Sequence, residues 1–139
     1  MIIHQHEIEL TGTAGSDIHD VTPAAREAVS QSGVQRGLLT VHTPGSTAAV
    51  TTIEYESGAL SDLLDLLERL APADGTYAHN LRWHDGNGYS HLRAALLGPS
   101  LTVPVAGGEP VLGTWQQIVV LDFDNRPRRR RVVLQVMGE

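Results

Sequence analysis

The stretch QIVVLDFDNRPRRRRVVLQV, residues 117–136, decides the fold because it contains two β-rich segments separated by a short turn. The first segment, QIVVLDFD, covers Gln117–Asp124, and the second, RVVLQV, covers Arg131–Val136. Branched and aromatic side chains of this kind favour strands. Asn125, Arg126 and Pro127 between them have the composition of a turn. The stretch therefore predicts two strands joined at residues 125–127.

Working outward, three further strands and two helices are predicted. Period-two alternation or β-branched runs indicate strands over residues 2–10, 37–41 and 47–53. A helix is predicted over residues 24–33, ending at a glycine cap. A second covers residues 58–70, where leucines recur at intervals of three and four. Residues 91–105 read as a short helical turn leading into a strand. The expected fold class is α+β, a mostly antiparallel sandwich or barrel-like sheet with two covering helices.

Composition limits the class of protein. At 139 residues the chain is expected to form a single domain, residues 1–139. Its net charge of −6 disfavours a nucleic-acid partner, since phosphate contacts need a basic field. The absence of cysteine excludes disulfides and thiolate ligands. With neither a signal-peptide pattern nor a run of about 20 apolar residues, we expect a cytoplasmic protein without membrane partners.

The polar stretch YAHNLRWHDGNGYSH, Tyr77–His91, is the first candidate for a site. Its three histidines, His79, His84 and His91, are five and seven residues apart, which matches no standard zinc signature. Residues 85–88, DGNG, are typical of a turn. On composition alone, a hydrated loop is therefore the favoured interpretation.

Glu54 and His42 are further candidate ligands at strand ends. A glutamate after the apolar strand TTI must be partnered or functional if it is buried, although it can also reach solvent from a strand end. His42 precedes Pro44 and reads as a surface residue. The remaining histidines, His4, His6 and His19, also read as surface residues.

Two other motifs have open interpretations. In the basic run RPRRRR, Arg126–Arg131, alternation sends Arg129 and Arg131 to one face and Arg128 and Arg130 to the other. Basic residues protect edge strands, so a solvated edge is expected, with one or two arginines able to hold a phosphate. In the second motif, GTWQQ at residues 113–117, Thr, Trp and Gln offer a ring and several hydrogen-bonding groups for a site. The plainer expectation is that Trp115 is buried in a strand.

Several of these segments together resemble the YjbQ-like family, also called secondary thiamine-phosphate synthase-like. The resemblance rests on GSTAAVTTIE, YAHN, NGYSHLRAALLGPSLTVPV, LGTWQQIVVLDFD, the basic strand and the terminal Gly138–Glu139, in that order. It implies a β-rich domain with two helices that assembles as a homotrimer. It also implies a polar site near a subunit boundary that holds a metal ion or an anion.

The resemblance also implies roles for individual residues. His79 and His91 match family histidines, and Glu54 matches the glutamate closing the T-x-x-E strand, so these three are the expected catalytic residues. The two histidines are also the expected ligands of a divalent metal, Zn²⁺ or Mg²⁺. The expected substrate- or anion-binding residues are Ser46, Thr47, Asn87, Arg93, Thr114 and Gln116.

Two departures from the family pattern affect the metal. Gly45 stands where many members have a histidine, and Asn80 where many have an aspartate. His42 or His84 can substitute only if the chain turns to bring it in. Glycine followed by serine suits backbone N–H groups approaching an anion, so phosphate binding is at least as well supported as metal binding.

Two functions therefore follow as hypotheses. The first is a transferase resembling thiamine-phosphate synthases, which join a pyrimidine methyl diphosphate to a thiazole phosphate and release diphosphate. Arg93, backbone amides and Mg²⁺ would neutralise the diphosphate, and Glu54 or a histidine would transfer protons. The second is a trimeric metal- or anion-binding protein with an accessory role and no catalysis.

Overall fold

Eight strands and four helices make up the part of the chain that the computed structural model describes, residues 1–12 and 15–139. The strands are β1 (Ile2–Thr11), β2 (Asp17–Asp20), β3 (Arg36–His42), β4 (Ala48–Ile53), β5 (Ser100–Ala106), β6 (Glu109–Pro110), β7 (Gln117–Asp122) and β8 (Arg129–Gly138). The helices are α1 (Thr22–Ser32), α2 (Ser57–Leu70), α3 (Ala78–Trp83) and α4 (Gly88–Leu97). The α+β class is confirmed.

Within residues 1–12 and 15–139 the strands form two sheets, and neighbouring strands in each pair antiparallel. The larger sheet has the order β1-β8-β3-β5-β6, and the smaller has the order β2-β7-β4. The predicted strand pair at residues 117–136 is therefore present, but β7 and β8 lie in different sheets. Residues 123–128 carry the chain from the small sheet to the large one.

The small sheet is the middle layer of the molecule. One core cluster joins Val50, Ile118 and Val120 of the small sheet to α1 and the large sheet, including Leu39 and Leu134. A second cluster joins the opposite face of the small sheet, through Ala49, Val119 and Leu121, to Leu67 of α2 and Ala94 of α4. Because both faces of β7 are covered, that strand reads as a continuous apolar run.

The two predicted helices form with the ends that their sequences favour. Pro23 lies in the first turn of α1, and Gly33 closes the helix at a positive φ of 74°. The carboxylate of Glu56 caps α2 by accepting the backbone N–H groups of Gly58 and Ala59, both at 2.8 Å. These hydrogen bonds lower the pKa of Glu56, so the cap is charged at neutral pH.

The prediction of two helices was wrong, because the polar stretch and the segment after it form α3 and α4. The covered face of α4 carries Ser90 and Arg93, and this polar character hides its helical period. Ser90 Oγ donates to the carbonyl of Phe123 at 2.8 Å, and Arg93 Nε donates to that of Ala71 at 3.0 Å. Polar groups satisfied in this way can be buried at little cost.

Two other expectations were also wrong. The basic run does not begin an edge strand, since β8 lies between β1 and β3. Trp115 is not buried in a strand. It lies in a turn before β7 with 72% of its surface exposed in the single chain. Among the helices of the described ranges, none combines the length and the apolar character needed to span a bilayer.

Candidate functional site

A polar cleft of about 380 Å³ opens at one end of the small sheet. Its walls come from the loop before β4, from the α3–α4 segment and from the connection between β7 and β8. It is lined by Gly45, Ser46, Thr47, His79, Trp83, Asp85, Asn87, His91, Asp124, Arg126, Arg128 and Arg130. The cleft thus combines hydroxyls, imidazoles, carboxylates and guanidinium groups from three parts of the sequence.

The two histidines of the polar stretch meet in this cleft. His79 of α3 and His91 of α4 have ring centroids 4.5 Å apart, with the rings inclined at 43°. The turn between the helices brings the two histidines together. His84 ends α3 at a positive φ of 57°, and the backbone N–H of Gly88 donates a hydrogen bond to Asn80 Oδ1 at 2.9 Å. A Cβ at Gly88 would lie 2.8 Å from that of Tyr77, so the close approach needs glycine.

Asp85 lies beside the histidine pair. Its Oδ1 is 3.5 Å from His79 Nδ1, a buried nitrogen with no hydrogen-bond partner in residues 1–12 and 15–139. Buried polar atoms in folded proteins usually have partners, so an unpaired imidazole nitrogen is an unusual feature of this cleft. The Asn87 amide donates to Asp124 Oδ1 at 3.4 Å in one orientation. Rotated, it donates to both Asp85 oxygens at 3.0 and 3.2 Å.

Beneath the histidines lies a buried ionic network. Arg130 donates to both oxygens of Asp122, from Nε at 2.9 Å and from Nη2 at 2.8 Å, and Nη2 also donates to Thr47 Oγ1 at 2.6 Å. Thr47 Oγ1 in turn donates to Asp124 Oδ2 at 3.1 Å, and Arg128 Nε donates to the same oxygen at 2.7 Å. Both aspartates are fully buried, and each carries a guanidinium partner.

Asp124 is held in its charged form by these neighbours. Burial opposes ionisation, but hydrogen bonds from Arg128, Thr47 and Asn87, with the charge of Arg128, outweigh it and lower the pKa of Asp124. The aspartate is therefore ionised at neutral pH. Its charge neutralises Arg128, as Asp122 neutralises Arg130.

Arg126 is the remaining arginine of the cleft. It is exposed in the connection between β7 and β8, and it makes no ion pair with any residue in the described part of the chain. The opposite face of the basic run is engaged elsewhere, since Arg129 and Arg131 pair with Glu9 and Glu7 of β1. The predicted alternation of the run is therefore present, although on the cleft side Arg130 is buried and Arg128 is only partly exposed.

The loop before β4 approaches the cleft through its backbone. Gly45 has a φ of 128°, a conformation that disfavours residues with a Cβ, and a Cβ there would lie 3.2 Å from Arg130 Nη1. A histidine at position 45 would therefore need a different backbone. Having Gly45 where many family members have histidine therefore has two effects. It removes one imidazole, and it permits a backbone conformation before Ser46 and Thr47 that a histidine disfavours.

Glu54 and the GTWQ residues lie at the other end of the molecule. Glu54, Thr114 and Trp115 line a separate hollow with Asp20, Tyr55, Glu56 and Gln117. Gln116 contacts Gly113 and Thr52 there. Thr47 and Glu54 flank the two ends of β4, whose six residues span roughly 20 Å. A single chain therefore brings together His79, His91, Ser46, Thr47 and Asn87, but not Glu54, Thr114 or Gln116.

Arg93 is not a cleft residue, contrary to the expectation that it binds an anion. It is only 3% exposed, and its guanidinium pairs with Glu68 of α2 and lies over the rings of Tyr89 and Phe123. Its hydrogen bonds join α4 to the end of α2. Arg93 therefore stabilises the helical layer.

Neither proposed substitute for the histidine absent at position 45 lines the cleft. His42 is at the end of β3, opposite Ser100 and Val133, and His84 is exposed at the end of α3. Elsewhere, His4 and His19 are not simple surface residues as expected, because each has a buried Nε2 without a hydrogen-bond partner among the described residues. Across residues 1–12 and 15–139, no group of three His, Cys, Asp or Glu side chains is arranged to hold a metal ion.

Sequence reasoning missed the carboxylates and the aromatic wall of the cleft. Asp122 and Asp124, at the end of an apolar segment, are the partners of Arg130 and Arg128. One signal was available, since both pairs alternate with period two on either side of the turn at residues 125–127. For Trp83, which lines the cleft at 62% exposure, the sequence carried no comparable signal.

Comparison with known proteins gives one consistent result. The family described as UPF0047 protein YjbQ-like matches residues 6–139. A UPF0047 protein of Methanothermobacter thermautotrophicus is 40% identical over 139 residues, which cover all of this chain and 95% of that protein. A UPF0047 protein of Mycobacterium tuberculosis is 41% identical over 127 residues, covering 86% of this chain and 95% of the relative.

Solved structures agree with these sequence matches. A protein of unknown function from Sulfolobus solfataricus, described as YbjQ-like, superposes with a TM-score of 0.88 at 27% identity and covers 99% of both chains. A hypothetical protein from Aeropyrum pernix gives a TM-score of 0.85 at 34% identity, covering 96% of this chain and 99% of the other. The similarity thus extends over nearly the whole fold.

Proposed function

The chain belongs to the YjbQ-like UPF0047 family, and on that premise we propose that its polar cleft binds a small phosphorylated molecule. The observation that carries the proposal is Arg126, an exposed guanidinium at the cleft whose charge no carboxylate in the described residues balances. Guanidinium groups match phosphate oxygens in geometry as well as in charge. The Ser46 hydroxyl, which also lines the cleft, can donate a further hydrogen bond.

The buried network supports this role by fixing the floor of the cleft. With Arg128 and Arg130 held by Asp124 and Asp122, a ligand meets hydrogen-bonding groups that need little reorganisation. We propose Arg126, in place of Arg93, as the arginine that binds the phosphate, because Arg93 is buried against α2. The adjacent rings of His79 and His91 line the same cleft, and we propose that the reacting part of the ligand lies beside them.

Isothermal titration with inorganic diphosphate at fixed ionic strength tests the binding. The substitution Arg126→Ala should weaken binding about tenfold or more, the usual size for a hydrogen bond to a charged group. Arg129→Ala is the matched control: it removes the same charge from the same run, but on the face that pairs with Glu9. Equal losses in both variants would indicate general electrostatic attraction and contradict a site in the cleft.

For the reaction, we propose the one that the resemblance implies, thiamine-phosphate synthesis. The bond between the pyrimidine methylene and diphosphate breaks, the thiazole nitrogen forms a bond to that methylene, and diphosphate leaves. Arg126 would stabilise the charge on the leaving diphosphate.

An assay for thiamine phosphate from the two precursors tests this reaction. We expect turnover in the wild-type protein, loss in His91→Ala and in Arg126→Ala, and retention in Arg129→Ala. Diphosphate binding without any turnover would favour the alternative, a non-catalytic anion-binding protein with an accessory role.

A divalent metal, a homotrimer and a cytoplasmic location stay predictions from the sequence. His79 and His91 are the proposed metal ligands, but the described residues bring no third ligand into position, so the bound molecule or another chain would have to complete the coordination. In a homotrimer, Glu54, Thr114 and Gln116 of one protomer are proposed to contribute at a neighbour's cleft, because they lie at the far end of their own chain.

A further inference from the structure

An apolar hollow of about 240 Å³ lies directly beside the polar cleft. Ala48 of β4, Ala94 and Ala95 of α4 and Pro99 form its own walls, and we call it the apolar annex. Gly45, Ser46 and His91 line both the annex and the cleft. The two hollows are therefore adjacent, and they meet at His91.

The annex differs from the cleft in chemistry. Its own walls carry no charged or hydrogen-bonding side chain, whereas the cleft carries guanidinium, carboxylate and imidazole groups. Its space comes from small side chains: α4 presents alanine at positions 94 and 95, while its leucines occupy positions 92, 96 and 97. A larger side chain at position 95, which is exposed, would occupy the hollow without entering the core.

From this arrangement we infer that the ligand is a phosphate ester of a small apolar alcohol. The phosphate lies in the cleft, the apolar group lies in the annex, and the linkage between them passes His91. The inference rests on the proposed function, because the annex selects an ester only if its phosphate is held at Arg126. It depends on the proposed phosphate binding and not on the proposed reaction, and it adds an apolar part of the ligand, argued from the walls of the annex.

The volume of the annex is sufficient for an apolar ring. A cavity of roughly 150 Å³ holds one benzene ring in a protein interior. The annex, at about 240 Å³, therefore has room for a six-membered ring with short substituents. Transfer of such a group out of water supplies affinity in addition to that of the phosphate.

Titration of the wild-type protein with inorganic phosphate and with benzyl phosphate tests the inference. Benzyl phosphate should bind at least about tenfold more tightly, the factor expected for burying roughly two methylene-sized groups. In Ala95→Phe the new ring fills the annex, so this advantage should fall below about threefold while the affinity for inorganic phosphate is unchanged. Leu96→Phe, one residue further along α4 and outside the annex, should keep the full advantage.

The outcomes separate the two proposals. Equal affinity of the wild-type protein for both compounds overturns the annex inference and leaves the phosphate site intact. Retention of the benzyl advantage in Ala95→Phe also overturns it, because the ring would then bind elsewhere. Failure of both compounds to bind overturns the proposed function together with the annex. Thermal unfolding of both variants checks that each is folded.

Discussion

Thr47 joins the two buried ion pairs that form the floor of the cleft. Its hydroxyl oxygen accepts a hydrogen bond from Arg130, and its proton is donated to Asp124. Burying a carboxylate is costly unless a charged partner and hydrogen bonds replace water, and here both aspartates have such partners. The result is a set of fixed guanidinium groups beneath the histidines, which leaves Arg126 to respond to a ligand.

The lowered pKa of Asp124 predicts a specific acid sensitivity. Because its folded-state pKa lies below the ordinary value of 3.8, its contribution to the free energy of unfolding is full above about pH 4 and is lost as the pH falls through the folded-state pKa. Replacement by Asp124→Asn should cost about 2 to 4 kcal/mol at pH 7, since a buried charge pair is broken.

Urea unfolding at pH 7 and at pH 3 measures this effect. The free-energy difference between the wild-type protein and Asp124→Asn should be smaller at pH 3. That pH lies below the ordinary value of 3.8, so the unfolded chain binds a proton at Asp124 that the lowered pKa disfavours in the folded protein. Asp62→Asn, on the exposed side of α2, serves as the control and should follow the wild-type protein at both values. A difference that stays constant with pH would contradict the assigned charge of Asp124.

For single residues, the sequence predicted the face of the strand on which a side chain lies better than it predicted the side chain's hydrogen-bond partner. Alternation correctly separated Arg128 and Arg130 from Arg129 and Arg131, because the pleat of a strand is a local property. Their carboxylate partners on β7 depend on how two sheets pack, which no local pattern records. The meeting of His79 with His91 followed from the resemblance and from turn residues, not from ligand spacing.

Among the elements, the sequence identified those with one clean apolar period. The strand β1 alternates in exposure along its length, and α2 repeats leucine every three or four residues, so both were predicted within two residues of their ends. In α4, by contrast, the covered face includes Ser90 and Arg93 among Tyr89 and Ala94. Tertiary hydrogen bonds make those polar positions interior, and a single sequence does not show them.

The strands β4 and β7 determine how the candidate residues are distributed. They pair antiparallel from Ala48 opposite Asp122 to Ile53 opposite Gln117. One end of this pair carries Thr47 and Asp122 at the cleft, and the other carries Glu54 and the GTWQ turn. Residues that the resemblance placed in one site are thus separated by the length of a strand within a single chain.

For the whole molecule, the distance between Glu54 and the cleft within one chain means that the two can form one site only in an oligomer such as the predicted homotrimer. Large apolar side chains remain exposed near both ends of the small sheet, including Trp83 at the cleft and Trp115 at the GTWQ turn. Tryptophan residues are frequent energetic anchors of protein interfaces. A small domain also gains stability by burying such surface between copies. Contact between the GTWQ end of one protomer and the cleft end of another would bring Glu54 to the histidine pair.

Native mass spectrometry tests this arrangement. The wild-type protein should have three times the 15.0 kDa mass of one chain. In Trp115→Asp, a charge at the proposed anchor would lose its hydration on assembly, so the protein should dissociate to monomers. Leu66→Asp, which places the same charge on the exposed side of α2, should remain trimeric. A monomeric wild-type protein, or a trimeric Trp115→Asp, would contradict the arrangement and leave Glu54 without a route to the cleft.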